Sequence, residues 1–99
     1  MSNTYQIYLI SDSTGETLDR IFLSLKAQFK NIEYKVNSFS FTRTENQILK
    51  ILDQAQKESN SIILYTIVDN NLAKFLANTC DEKKIPCFGV LGSLILSFS

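Results

Sequence analysis

Two rhythms of apolar and polar residues divide the chain. Ile7 to Ile10 is an unbroken apolar run, the mark of a strand buried on both faces. Leu18, Ile21, Phe22, Leu25 and Phe29 then recur with helical spacing, which predicts a helix from about Gly15 to Phe29, with Asn31 as its stop. From Tyr34 to Phe41 the pattern alternates, slipping in phase at Ser38, as in an outer strand. Ile48, Ile51, Leu52 and Ala55 form one stripe of a second helix, from about Glu45 to Glu58. Ser61 to Val68 is rich in β-branched residues and reads as a central parallel strand covered on both faces. Asp69-Asn70-Asn71 caps a third helix with Leu72, Phe75, Leu76 and Thr79/Cys80 on its inner face, and Lys83-Lys84 suits its carboxyl end. Ile85-Pro86 leads into a fourth strand, Cys87 to Leu91, followed by a turn at Gly92-Ser93.

The order βαβαβαβ predicts a three-layer α/β fold. Helical connections imply right-handed crossovers and a mostly parallel sheet, a Rossmann-like or flavodoxin-like half. Leu94 to Ser99 is an apolar tail beyond the last strand. With no covering helix after it, the expectation is a truncated domain, or one whose last face is covered by a partner or a second copy.

Composition narrows the function. The 99 residues suffice for a single domain, and ten basic residues balance ten acidic ones. A neutral chain without a basic stripe is not expected to bind nucleic acid. Its longest apolar stretch, Phe88 to Phe98, is broken by Gly and Ser and is too short to span a bilayer. No signal-peptide pattern precedes the first strand, so a cytoplasmic location is expected. Cys80 and Cys87 fit neither a redox motif nor a zinc pattern, and read as reduced thiols, one on a helix and one in a strand. There is no histidine, which removes the usual general base of Ser and Cys hydrolases.

The candidate chemistry sits behind the first strand, in Ser11-Asp12-Ser13-Thr14-Gly15-Glu16-Thr17. A strand-to-helix turn presents backbone N–H groups and the positive end of a helix dipole, and hydroxyls can add donors to a phosphate. Ser13 to Glu16 also fits a capping box, which accounts for those two residues without any ligand; both readings can hold together. Thr42-Arg43-Thr44-Glu45 repeats the box spacing before the second helix. Arg43 there can grip an anion as a planar fork, or can make an ordinary surface ion pair. Asp12 and Asp69 could approach each other at the carboxyl edge, an arrangement that invites Mg²⁺. A phospho-acceptor role for Asp69, as in receiver domains, is the less favoured reading. Such domains carry an acidic pair where this chain has Asp12 alone, and helix capping accounts for Asp69. Neither G-x-x-x-x-G-K-[ST] nor G-x-G-x-x-G occurs, so no catalytic residue or metal ligand is assigned.

Taken in order, these segments resemble the regulatory proteins of pyruvate, phosphate dikinase and phosphoenolpyruvate synthase, bacterial bifunctional Ser/Thr kinases and phosphorylases. The resemblance rests on Ile10-Ser11-Asp12-Ser13-Thr14-Gly15-Glu16-Thr17, Ala27-Gln28-Phe29, Arg43-Thr44-Glu45, Leu64-Tyr65-Thr66-Ile67-Val68-Asp69, Ile85-Pro86-Cys87 and Val90-Leu91-Gly92-Ser93-Leu94-Ile95. It runs from about Tyr5 to Ile95. It implies a regulator that uses ADP to phosphorylate a threonine of the dikinase and inorganic phosphate to remove it, releasing pyrophosphate. It also implies that the family's Lys-bearing nucleotide loop belongs to a C-terminal domain that this sequence does not match. The expectation is therefore an N-terminal domain, residues 1–99, that does not transfer phosphate or hold ADP tightly alone. Its functional surface would be Ser11 to Thr17 with Arg43, and its partner the dikinase or the synthase. A non-catalytic module that binds an anion or a partner is the alternative.

Overall fold

A computed structural model describes residues 4–27 and 32–90. Among the described residues seven elements follow one another: β1 Tyr5–Ser11, α1 Glu16–Lys26, β2 Tyr34–Phe39, α2 Glu45–Lys57, β3 Ser61–Thr66, α3 Asn70–Lys83 and β4 Cys87–Gly89. All strand pairs are parallel, in the order β2-β1-β3-β4. The chain is thus an α/β protein with the expected alternation. Phe29, Asn31, Gly92-Ser93 and Leu94 to Ser99 lie outside the described residues.

Strand alternation sorts the side chains into two layers. Tyr8, Ile10 and Ile63 point to one face, where α2 contributes Ile48, Ile51, Leu52 and Ala55, and α3 contributes Leu72, Leu76 and Cys80. Ile7 and Leu9 point to the other face, against Leu18 and Phe22 of α1, with Ile62, Leu64 and Val90 packed alongside. Right-handed crossovers require this division, because the chain reverses direction along the sheet after β2. Each fully buried Leu or Ile stabilises the fold by about 1.5–3 kcal/mol.

β2 is an edge strand, which explains the slip at Ser38. Tyr34 packs on the α1 layer, whereas Phe39 turns to the other layer and stacks on Tyr8 with ring centroids 6.0 Å apart. β3 ends at Thr66, two residues short of the predicted span, and Val68 is 66% exposed. β4 ends at Gly89 rather than Leu91. Among the described residues, no helix is long and apolar enough to cross a membrane.

Candidate functional site

The parallel sheet brings the β1–α1, β2–α2 and β3–α3 turns to its carboxyl edge, at the point where the chain reverses direction between β1 and β3. Hydrogen bonds stitch the three together. The Ser11 carbonyl accepts from Thr42 N–H at 2.8 Å, and the Ser13 carbonyl from Phe41 N–H at 2.9 Å. On the other side Asp12 N–H donates to the Thr66 carbonyl at 3.3 Å. The Asp12 carboxylate accepts from Val68 N–H at 2.9 Å. Residues 11 to 13 therefore bridge both neighbouring turns.

That bridge decides which side chains face outward. Ser11 is buried, and its Oγ accepts from Ser13 N–H at 3.1 Å and contacts Ser13 Oγ at 3.3 Å. Thr14, Glu16 and Thr17 are exposed, around Gly15. A hollow of about 60 Å³ opens beside them, lined by Ser11, Thr14, Gly15, Asp19, Ser38 and Ser40 among others.

The expected Ser13–Glu16 capping box is absent. The N-cap of α1 is Gly15, in the left-handed region at φ 86°, with no side-chain cap. Ser13 cannot reach the helix because its hydroxyl and N–H engage Ser11 and its carbonyl engages Phe41. Glu16 N–H reaches Thr14 Oγ1 only at 3.5 Å. The first turn of α1 thus offers its N–H groups to solvent without a side-chain cap, an arrangement that suits an anion. Glu16 and Asp19 in that turn already satisfy part of the dipole and oppose added negative charge.

Arg43 supplies the opposing charge. Its Nε donates to the Asp12 carbonyl at 2.9 Å, and its guanidinium lies 5.2 Å from the centroid of Phe41. It makes no ion pair among the described residues, so the pairing expected of a surface arginine does not occur here. Phe41 is itself left-handed at φ 54° and half-exposed. The second capping box is also displaced: Thr44 caps α2, accepting from Gln47 N–H at 3.2 Å while Gln47 Oε1 accepts from Thr44 N–H at 3.0 Å. Gln47 Oε1 accepts Arg43 N–H as well, at 2.7 Å. Thr42 is buried and donates to the Phe39 carbonyl at 3.4 Å. Phe41 and Gln47, which position Arg43, escaped the sequence reading, although Thr44-x-x-Gln47 carries the same box signal as Thr42-x-x-Glu45.

Each of the two acids is engaged in a turn of its own. Asp12 serves Val68, and Asp69 caps α3 by accepting from Leu72 N–H at 3.0 Å. No cluster of three or more metal-ligating side chains occurs among the described residues.

The fold and this edge define a doubly wound α/β protein whose first three strand-to-helix turns are joined at the carboxyl edge of its sheet. Residues 7–99 match the profile of a family described as kinase/pyrophosphorylase, and the chain belongs to that family. A protein of Pelagibacter ubique (strain HTCC1062) named pyruvate, phosphate dikinase regulatory protein is 76% identical over 99 residues, covering 100% of this chain and 36% of that protein. Proteins of the same name from Geotalea uraniireducens (strain Rf4) and Agrobacterium fabrum (strain C58 / ATCC 33970) are 36% identical over 94 residues and 38% over 91. These alignments cover 95% and 92% of this chain, and 35% and 33% of those proteins. The chain spans about a third of the length of these curated relatives.

Proposed function

We propose that this chain is the N-terminal, phosphate-facing part of a cytoplasmic regulator of pyruvate, phosphate dikinase or phosphoenolpyruvate synthase. The whole regulator would phosphorylate a threonine of its target with ADP and remove it with inorganic phosphate. In this reading residues 1–99 carry no catalytic role. Phosphoryl transfer depends on positioning and charge neutralisation of the phosphates, and the Lys-bearing loop that would supply both is lacking in this sequence. The chain contributes an anion-binding edge: Thr14 to Thr17 at the open end of α1, with Ser11, Asp12 and Ser13 holding the turn in place and Arg43 beside it.

The observation that carries the reading is the pairing of an uncapped helix start with an arginine tied to the same turn. Amide NMR during titration with inorganic phosphate, pyrophosphate and ADP tests it. Shifts should concentrate at Gly15, Glu16 and Thr17 and weaken in Arg43→Ala; shifts scattered elsewhere would refute the site. Incubation with ADP and the dikinase should yield no phosphorylated target, and robust transfer by this chain would overturn the non-catalytic assignment.

A second reading, a module that binds its partner without phosphate chemistry, is favoured by Phe41 and Val68. These are 50% and 66% exposed at the same edge. Co-purification with the dikinase that survives loss of Arg43 but not of Phe41 would support it.

A further inference from the structure

Among the described residues, one face of the sheet is only partly covered. Leu18 and Phe22 of α1 bury its centre, Ile7 and Leu9. Parallel register gives Leu64 and its β4 partner Phe88 this same face, where Ile62 and Leu64 are half-buried and Phe88 is 56% exposed. A cavity of about 220 Å³ opens there between Tyr5, Ile7, Ile32, Tyr34 and Ile62, and none of these lining residues is charged. Tyr5, Tyr34 and Ile62 stand at or next to the starts of their strands, so the cavity lies at the amino end of the sheet, away from the carboxyl-edge site.

The chain itself leads onto this face. Val90 N–H donates to the Tyr65 carbonyl at 3.0 Å, and Val90 packs in the α1-side layer. The next nine residues, Leu91-Gly92-Ser93-Leu94-Ile95-Leu96-Ser97-Phe98-Ser99, carry no charge. Leu91, Leu94, Ile95 and Phe98 recur at i, i+3, i+4 and i+7, the spacing of one apolar helical stripe. On the opposite face Ile48, Leu52, Leu76 and Cys80 already seal Tyr8, Ile10 and Ile63 from solvent. The reach also fits. Ile62 lies three residues down β3 from Tyr65, about 10 Å at the rise of a strand. Nine residues span about 13 Å as a helix and about 30 Å extended.

We propose that residues 91–99 turn back beside α1 and lay this stripe over Ile62, Leu64 and Phe88, with its far end in the cavity. The occupant is the chain's own continuation rather than a second copy or another protein. An uncharged stripe on an uncharged wall gains from leaving water and leaves no buried charge unpaired. Docking there also presses on β4, which is three residues long and lies at the sheet edge.

Methyl-resolved NMR of the full 99-residue chain is the test. Nuclear Overhauser contacts should join Leu94 and Ile95 to Ile7 and Ile62, and Phe98 to Tyr5 or Tyr34. A sample mixing isotope-labelled with unlabelled chains tells contacts within one chain from contacts between two. Contacts within one chain support the proposal. Contacts found only between chains would place a second copy on the face and overturn it, as would the absence of any contact to the segment. Ile95→Asp should abolish the contacts and shift the Ile7 and Ile62 methyl resonances, while the amides of Gly15, Glu16 and Thr17 at the opposite edge stay in place. Unmoved Ile7 and Ile62 methyls would count equally against the proposal. If that variant does not fold, the unmodified chain decides alone.

Discussion

Arg43 Nε and the Asp12 carbonyl are joined at 2.9 Å across 31 positions of sequence. The bond fixes one edge of the guanidinium, whose centre lies over the Phe41 ring. A planar donor group is thereby held in a set orientation.

Arg43→Ala should therefore weaken inorganic phosphate binding by about tenfold or more, since a charge-assisted hydrogen bond contributes roughly 1.5–3 kcal/mol. Stability should change by less than about 1 kcal/mol, because the residue is exposed. Phosphate titration and urea unfolding separate the two effects. Equal losses in both would mark Arg43 as structural only.

Asp12 contributes differently. Asp12→Ala removes the acceptor of Val68 N–H and should cost about 1 kcal/mol, whereas Asp12→Asn keeps an oxygen there and should cost less. Hydrogen exchange at Val68 should accelerate in the first variant only. Equal acceleration in both would show that the negative charge, and not the acceptor, holds the β3–α3 turn.

Gly15→Ala should destabilise by about 1–2 kcal/mol, the cost of a left-handed backbone for an L side chain. Space is not the obstacle, because an added Cβ would meet only Ser11 Cβ at an ordinary 3.8 Å. Gly15→Asn should recover part of the loss, as Asn tolerates that conformation better. Thermal melts of the two variants would show no difference if helix α1 could re-form from another cap.

Thr44→Ala and Gln47→Ala should each cost about 1 kcal/mol, and together less than their sum, because both belong to one reciprocal cap. Gln47→Ala should also weaken phosphate binding while Thr44→Ala leaves it nearly intact, since only Gln47 holds the Arg43 backbone. Full additivity would show the two bonds to be independent.

The layers of the fold are legible from apolar spacing alone. Ile48, Ile51, Leu52 and Ala55 were separable as an inner stripe, and all four are buried. Asp69 was readable as a cap because its helix offers no competing Ser or Thr nearby. The two other caps were misplaced for one reason. A hydroxyl three residues before Glu or Gln is a local signal, but the backbone partners that compete for it are remote. Ser13 is drawn to Ser11 and Phe41, and Thr42 to Phe39 and Ser11. Arg43 was identifiable as a candidate, yet nothing in its neighbours announced the bond to Asp12, which exists only once β1 and β2 lie side by side.

The sheet is unevenly clothed. Among the described residues, two helices shelter one side, and α1 alone lies on the other. A greasy hollow of about 220 Å³ between Tyr5, Ile7, Ile32, Tyr34 and Ile62 accompanies it, and on the β4 edge Phe88 is 56% exposed. Such a flank is adhesive in water. Stripped of residues 91–99, the chain should cling to itself as its concentration rises, brighten a dye that glows in oily surroundings, and be dispersed by mild detergent.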